Sequence, residues 1–193
     1  MGENGAFYFW FDEEERRLKK RFLDPDAVRA EKRQRLTRVR DAILSTVVGS
    51  ALASDQHYRE ADLAIDTCED VPPLSAEAVA EICRIFQAHG ATCKVSSIHV
   101  NGWFGEYDKL GMVKRFVAER LGMDLDALRE RFAYCGDSPN DEPMFGYFPV
   151  SVAVKNVEGF LDRMQLLPRY ITSREGGEGF AEFATLVLRY RHA

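Results

Sequence analysis

The sequence predicts an α/β protein: a parallel sheet with flanking helices in its C-terminal half, and a smaller α+β unit nearer the N-terminus. Three observations carry this. After residue 104, short apolar runs alternate with segments of helical spacing, the pattern of strands covered on both faces by helices. Before residue 100, apolar and polar side chains alternate along strand-length segments separated by turn signals, which marks antiparallel pairing. The composition, 46% apolar and 30% charged, supplies enough apolar surface for a folded core.

Ala6-Phe7-Tyr8-Phe9-Trp10-Phe11 is aromatic and β-prone, and Arg17 to Leu23 can return as the second strand of a hairpin. Asp24-Pro25 predicts a helix start, with Asp24 as N-cap and Pro25 at the first helical position, and the helix runs to about Val47. It carries Arg29, Lys32, Arg33, Arg35, Arg38 and Arg40, interrupted by Glu31 and Asp41. In a chain of net charge -5, that run reads as a solvated face rather than a polyanion patch. Residues 61–68 alternate and predict a half-buried strand. Pro72-Pro73 interrupts the chain, Ser75 caps a helix to about His89, and Gly90 closes it. Thr92 to about Val100 predicts a further strand.

Beyond residue 104 the helical spacing of Leu110, Val113, Phe116, Val117 and Leu121 predicts a helix from Asp108, ended by Gly122. A short helix follows near Leu125–Glu130. Strands are expected at Phe132–Cys135, Ser151–Val154 and Arg169–Thr172, and a closing helix from Glu178 to about Tyr190. The glycines between Thr172 and Gly179 predict a flexible loop.

Several functions are argued against. No apolar run is long enough to span a membrane. Met1 to Ala6 shows no basic segment followed by an apolar one, so a cytoplasmic protein without a secretory signal is expected. The acidic balance disfavours nucleic acid as a partner. Cys68, Cys83, Cys93 and Cys135 form no CxxC pair and are expected to be reduced, mostly buried thiols. His57, His89, His99 and His192 have no HxH or HxxxH spacing, which argues against zinc.

Chemistry concentrates in Gly136-Asp137-Ser138-Pro139-Asn140-Asp141, between an expected strand and an expected helix. Ligands in open α/β sheets bind beyond the carboxyl ends of strands. Two carboxylates and an amide in one tight loop suit a hard cation such as Mg²⁺. The same residues also suit a turn that caps the helix at Pro143–Phe145, and spacing alone leaves both readings open. Lys109 stands at a helix start, where the dipole already supplies positive charge, so a lysine there points to an anion site. Lys114 on the same helix is the rival and is expected to face solvent. Val154-Lys155-Asn156-Val157 follows a strand but by itself says nothing of function.

In this order, the Lys109 helix, Gly136–Asp141, Ser151-Val152-Ala153-Val154-Lys155-Asn156, Tyr170-Ile171-Thr172 and the glycine loop resemble the C-terminal half of haloacid dehalogenase superfamily phosphatases, nearest to class IIB. Class IIB includes sucrose-phosphate, mannosyl-3-phosphoglycerate and Cof-type sugar phosphatases. The specific match covers about residues 104–190, and Glu3-Asn4-Gly5-Ala6 resembles the segment that precedes the family's cap domain. The resemblance implies a partial Rossmann-like core from residues 1–6 and 101–193, with an α+β cap at 7–100. It implies a Mg²⁺-dependent phosphatase acting on a sugar phosphate or similar small phosphomonoester. Asp137 and Asp141 would bind the metal, the latter alternatively holding the lysine. Lys109 would neutralise nucleophile and phosphoryl oxygens, and Asn140 would contact the phosphoryl group. Because the cap selects substrates in this class, Asp55, Arg59, Ser97, His99 and Asn101 become its substrate-binding candidates. Trp103 and Phe104 are expected to pack at the hinge.

The family's Asp-x-Asp-x-Thr nucleophile motif and its phosphoryl-binding Ser or Thr motif are not in the sequence, and Asp66-Thr67 belongs to the expected cap strand. The expectation is therefore of an N-terminally truncated chain, inactive by itself, because covalent phosphoryl transfer needs the carboxylate nucleophile. A non-catalytic binding or partner protein on the same scaffold, or a phosphomutase, are the alternatives. Substrate identity and oligomeric state are left open by the sequence.

Overall fold

The computed structural model describes residues 1–190, so His192 lies outside the described residues. The chain divides into two compact units, Met1–Val113 and Lys114–Ala193.

The first unit opens with a hairpin of β1 (Phe7–Asp12) and β2 (Arg17–Phe22), in register from Phe7↔Phe22 to Asp12↔Arg17. Helix α1 (Asp26–Thr46) follows, then β3 (Ala51–Leu52), β4 (Asp62–Asp66), α2 (Ala76–Ala88), β5 (Thr92–Val95) and β6 (His99–Trp103). The four strands form one antiparallel sheet in the order β3-β4-β6-β5. Helix α3 (Lys109–Leu121) comes next.

Strand alternation sorts the sheet residues. Leu63, Ile65 and Val100 join Leu36, Val39 and Ile43 of α1 and Ile82 and Phe86 of α2 in one buried core. Gly102 lies on the same face, and a Cβ there would come 2.0 Å from the Phe86 ring. The opposite face carries Asp62, Ala64 and Asp66 of β4, opposed by Trp103, Asn101 and His99 of β6.

Four sequence expectations change in this unit. Thr92–Val100 is not one strand: the Ser96 N–H donates to the His99 carbonyl at 2.8 Å, and the chain folds back as the β5–β6 hairpin. Ser96-Ser97 is a local turn signal that outweighs the flanking β-propensity. Strand β4 is buried on both faces rather than half-buried, because its two aspartates have hydrogen-bonding partners that make burial tolerable. Asp24 does not cap α1: Pro25 occupies the N-cap position, with no side-chain cap, and Asp24 forms an ion pair with Lys32. The basic run of α1 is only partly a solvated face. The Arg29 guanidinium lies 3.5 Å over the Phe22 ring and that of Arg35 lies 3.7 Å over Phe104, cation–π contacts that also bury the arginine stems. Phe104 itself belongs to the helix–sheet core.

The second unit contains α4 (Leu125–Leu128), β7 (Ala133–Gly136), α5 (Glu142–Tyr147), β8 (Val150–Ala153), β9 (Tyr170–Ile171) and α6 (Gly176–Tyr190). Its three strands are parallel, in the order β7-β8-β9, as the apolar runs predict. Phe145, Ala153, Val157 and Met164 form its buried centre, with Tyr134 packed against them. The glycines after Thr172 are not a flexible loop: Gly176, Gly177 and Gly179 form the first turn of α6. A Cβ on Gly179 would lie 2.2 Å from the Arg174 carbonyl oxygen, so close backbone packing requires glycine there.

All four cysteines are free, but none is buried: Cys68 is exposed and Cys83, Cys93 and Cys135 are half-buried. No described helix is long and apolar enough to cross a membrane.

Candidate functional site

Strand β7 delivers the chain into the acidic turn. Asp137, just past its end, is exposed, whereas Asp141, four residues on, is 1% exposed. Oδ2 of Asp141 accepts the backbone N–H groups of Asp137 (2.9 Å) and Ser138 (3.3 Å), and Oδ1 accepts the Tyr134 hydroxyl at 2.7 Å. A Cβ on Gly136 would sit 2.6 Å from Asp141 Oδ2, so glycine at 136 is what lets the carboxylate close the turn. The Ser138 hydroxyl donates to Asn140 Oδ1 at 2.8 Å. The turn is thus built around one inward carboxylate, which leaves Asp137 at the carboxyl end of the strand. Of the two sequence readings of this segment the turn is observed: Pro139–Asp141 forms a 3-10 turn leading into α5.

The electrostatics follow from that packing. Burial pushes the Tyr134 hydroxyl far above its ordinary range, and the Asp141 charge adds to it, so it stays a donor. Burial, then the Asp141 and Asp137 charges, push the Cys135 thiol up as well.

The other two strands end at the same edge of the sheet. The Val154 N–H donates to the Gly136 carbonyl (3.0 Å), Lys155 N–H to Arg174 (3.1 Å), and Thr172 N–H to Ala153 (2.9 Å). Asn156 Oδ1 accepts the Gly176 N–H at 2.7 Å. Lys155, Asn156 and the 172–174 turn therefore share the strand-end edge with Asp137. Sequence reasoning gave them no role; the signal available was their place directly after parallel strands.

Lys109 begins α3 and is half-buried. It belongs to the first unit, whereas Asp137, Asn140 and Asp141 belong to the second. Lys114, expected in solvent, is engaged: its ammonium pairs with Asp126 at 2.7 Å and lies 4.6 Å over the Tyr147 ring.

In the first unit the polar sheet face gathers most of the expected substrate-binding residues. The Arg59 guanidinium forks onto Asp55 (Nε and Nη2, both 2.9 Å). Its Nη1 reaches Asp62 Oδ1 at 3.1 Å and Asn101 Oδ1 at 3.2 Å. His99 Nε2 meets Glu69 Oε2 at 2.8 Å. Ser97 stands apart in the β5–β6 turn, where its carbonyl accepts from the Cys68 thiol at 3.5 Å. Burial pushes Asp62 up to about 6, opposed by the Arg59 guanidinium. The Arg59 hydrogen bonds hold Asp55 below its usual range. A cavity of about 180 Å³ beside this network is lined by Arg33, Thr37, Arg40, Gln56, Arg59 and Asp62, among others.

Two residues that motif reading left without a structural role anchor this network. Glu3 Oε1 accepts the Glu60 N–H at 2.8 Å, and Oε2 accepts those of Ala61 and, at 3.0 Å, Asp62. Asp66 is fully buried; despite that burial, the backbone N–H groups of Glu69, Asp70 and Cys68 hold its carboxyl below the usual range.

Among the described residues, no group of three His, Cys, Asp or Glu side chains forms a self-sufficient metal cage. The turn instead offers one exposed carboxylate, an amide and hydroxyl oxygen. That donor set fits Mg²⁺, which takes one or two carboxylates and fills its shell with water and substrate phosphate. It does not fit zinc, which prefers nitrogen and sulfur ligands.

No protein-family model matches the chain, and no curated protein sequence matches it. Solved structures do. Thermoplasma acidophilum protein 0175 matches with a TM-score of 0.61 at 20% identity, over 96% of this chain and 70% of that one. The sucrose-phosphatase from Synechocystis sp. PCC6803, solved with sucrose and phosphate, matches with a TM-score of 0.57 at 14% identity, over 86% and 69%. At these identities the likeness shows the fold.

Proposed function

We propose that this chain, which has a haloacid dehalogenase class IIB-like fold, serves a Mg²⁺-dependent phosphatase acting on a small phosphomonoester such as a sugar phosphate. The observation that carries the reading is the turn after β7. Asp141 is buried and spends its carboxylate on the backbone of Asp137 and Ser138 and on Tyr134, which fixes Asp137 at the end of a parallel strand. In this reading Asp137 holds the cation, and Asp141 positions it and supports the ion's shell. Bound there, Mg²⁺ would offset the negative charge that spreads over phosphoryl oxygens during transfer. Asn140 is the proposed phosphoryl contact of the turn. In the first unit, Lys109 is proposed as an anion-neutralising ammonium, and Arg59, His99 and Asn101, with Ser97 in the β5–β6 turn, as substrate contacts on the polar side of that unit's sheet. The sucrose-phosphatase likeness supports a sugar ester but does not choose among them.

The test has two arms. Mg²⁺ titration of the purified chain, followed by thermal unfolding, should raise the melting temperature, and Asp137→Asn should remove that rise. Phosphate release from a panel of sugar phosphates is then measured for the chain and for the product of the longest open reading frame containing it. Release that requires both Mg²⁺ and Asp137 supports the function. A chain indifferent to Mg²⁺ in both arms would falsify it.

A further inference from the structure

Helix α1 presents Arg33, Leu36, Thr37 and Arg40, at the spacing of one helix face, to the cavity of about 180 Å³ in the first unit. Across it stand Leu52 of β3, Leu63 of β4 and the segment between them. The lining grades from buried Leu36, Leu63 and Asp62 to exposed Arg33 and Thr37, so the cavity meets solvent at its α1 rim. An apolar wall of three leucines with a few polar groups above it is the build of a small-molecule site. We propose that this cavity binds a small amphiphilic carboxylate, with its apolar body on Leu36, Leu52 and Leu63 and its head on the Arg33 guanidinium.

Charge decides the sign of the ligand. Arg33, Arg40 and Arg59 line the cavity against two carboxylates, Glu60 and Asp62. All but one of these charges are already matched. Arg59 holds Asp62 at 3.1 Å and Asp55 at 2.9 Å. Arg40 holds Asp41 at 2.8 Å. Glu60 pairs with Lys20 and, at 3.5 Å, with Arg29. The Arg33 guanidinium has no partner among the described residues; only its backbone carbonyl is engaged, by the Thr37 hydroxyl at 3.1 Å. It is the cation left over at the rim, and its planar fork matches a carboxylate.

The far wall is fixed by the chain itself. Gln56 uses both ends of its amide, Nε2 donating to the Asp62 carbonyl at 3.1 Å and Oε1 accepting the Ala64 N–H at 2.7 Å. That residue shapes the cavity and leaves the head group to Arg33. Size narrows the class further. A cavity of about 150 Å³ takes one six-carbon ring, so this one suits a body of about six carbons. Larger ligands occupy pockets of about 300 Å³ or more.

The test titrates the full chain with hexanoate in a calorimeter, and with hexanol and inorganic phosphate as separate probes of body and charge. Hexanoate should bind saturably at a single site and raise the melting temperature. Hexanol and phosphate should each bind at least about tenfold more weakly, the scale of one charge-assisted hydrogen bond. Arg33→Gln should weaken hexanoate by about the same factor. Thr37→Phe, placed at an exposed helix position on the rim, should block the cavity and abolish binding. Arg38→Gln, exposed on the same helix but outside the lining, should leave the affinity unchanged, and the melting of each unliganded variant checks its folding. Hexanol or phosphate binding as tightly as hexanoate would overturn the proposal. So would the lack of saturable hexanoate binding, or an affinity that Arg33→Gln and Thr37→Phe leave unmoved.

Discussion

The Tyr134 hydroxyl donates to Oδ1 of Asp141 at 2.7 Å, tying the middle of a parallel strand to the carboxylate that closes the turn beyond it. Two features of the strand serve that one side chain: the tyrosine supplies a donor, and Gly136 supplies room.

Tyr134→Phe keeps the ring packing and removes the donor, leaving a buried carboxylate oxygen with one partner fewer. A loss of about 1–3 kcal/mol is expected, measured by urea unfolding. Gly136→Ala should cost at least as much, because its Cβ would lie 2.6 Å from Asp141 Oδ2. Both variants should also weaken Mg²⁺ stabilisation if Asp141 positions Asp137.

Gly102→Ala tests the core of the first unit. The added methyl would meet the Phe86 ring at 2.0 Å, in a buried core that cannot yield freely. Overpacking of this kind costs about 1–3 kcal/mol or more, and Phe86→Leu in the same chain should restore part of the melting temperature.

Glu3→Ala removes the acceptor shared by the backbone N–H groups of Glu60, Ala61 and Asp62. Hydrogen bonds to a charged group are worth about 1.5–3 kcal/mol, so a fall of that order in unfolding free energy is expected. Amide hydrogen exchange should locate faster exchange at residues 60–62.

Asp62 gives the first unit a pH dependence of known sign. Its folded pKa, pushed up to about 6, lies above the unfolded value near 4. The folded state therefore binds the proton first, and stability rises as pH falls from about 6 toward 4, by on the order of 2 kcal/mol. Asp55 and Asp66 are held below their usual range and act oppositely. Their stabilisation is present above the unfolded carboxylate range and is lost only as pH falls through their lower folded values. Asp62→Asn should flatten the rise between about pH 6 and pH 4 while leaving the acid limb, as read from urea midpoints across pH.

Local signals read well wherever local rules decide. The aromatic run at residues 6–11, the Ser75 cap (its side chain accepts the Ala78 N–H) and the apolar strands after residue 132 all became the elements their patterns specify. Misreadings fell where a neighbour distant in sequence outweighed the pattern. Asp24 turned to Lys32 instead of capping α1. The 176–179 glycines served close packing at a helix start instead of flexibility.

The sequence alone determined the two architectures, antiparallel with helices before residue 100 and parallel after it, because periodicity and turn residues act within a few positions. It also singled out the acidic turn, since glycine and paired carboxylates after an apolar strand are contiguous. Only the tertiary structure decided which carboxylate turns inward, that Glu3 clasps residues 60–62, and that Arg59 meets Asn101 across 42 positions. Those choices depend on which donors a folded chain brings within hydrogen-bonding distance, and burial makes leaving them unpaired too costly.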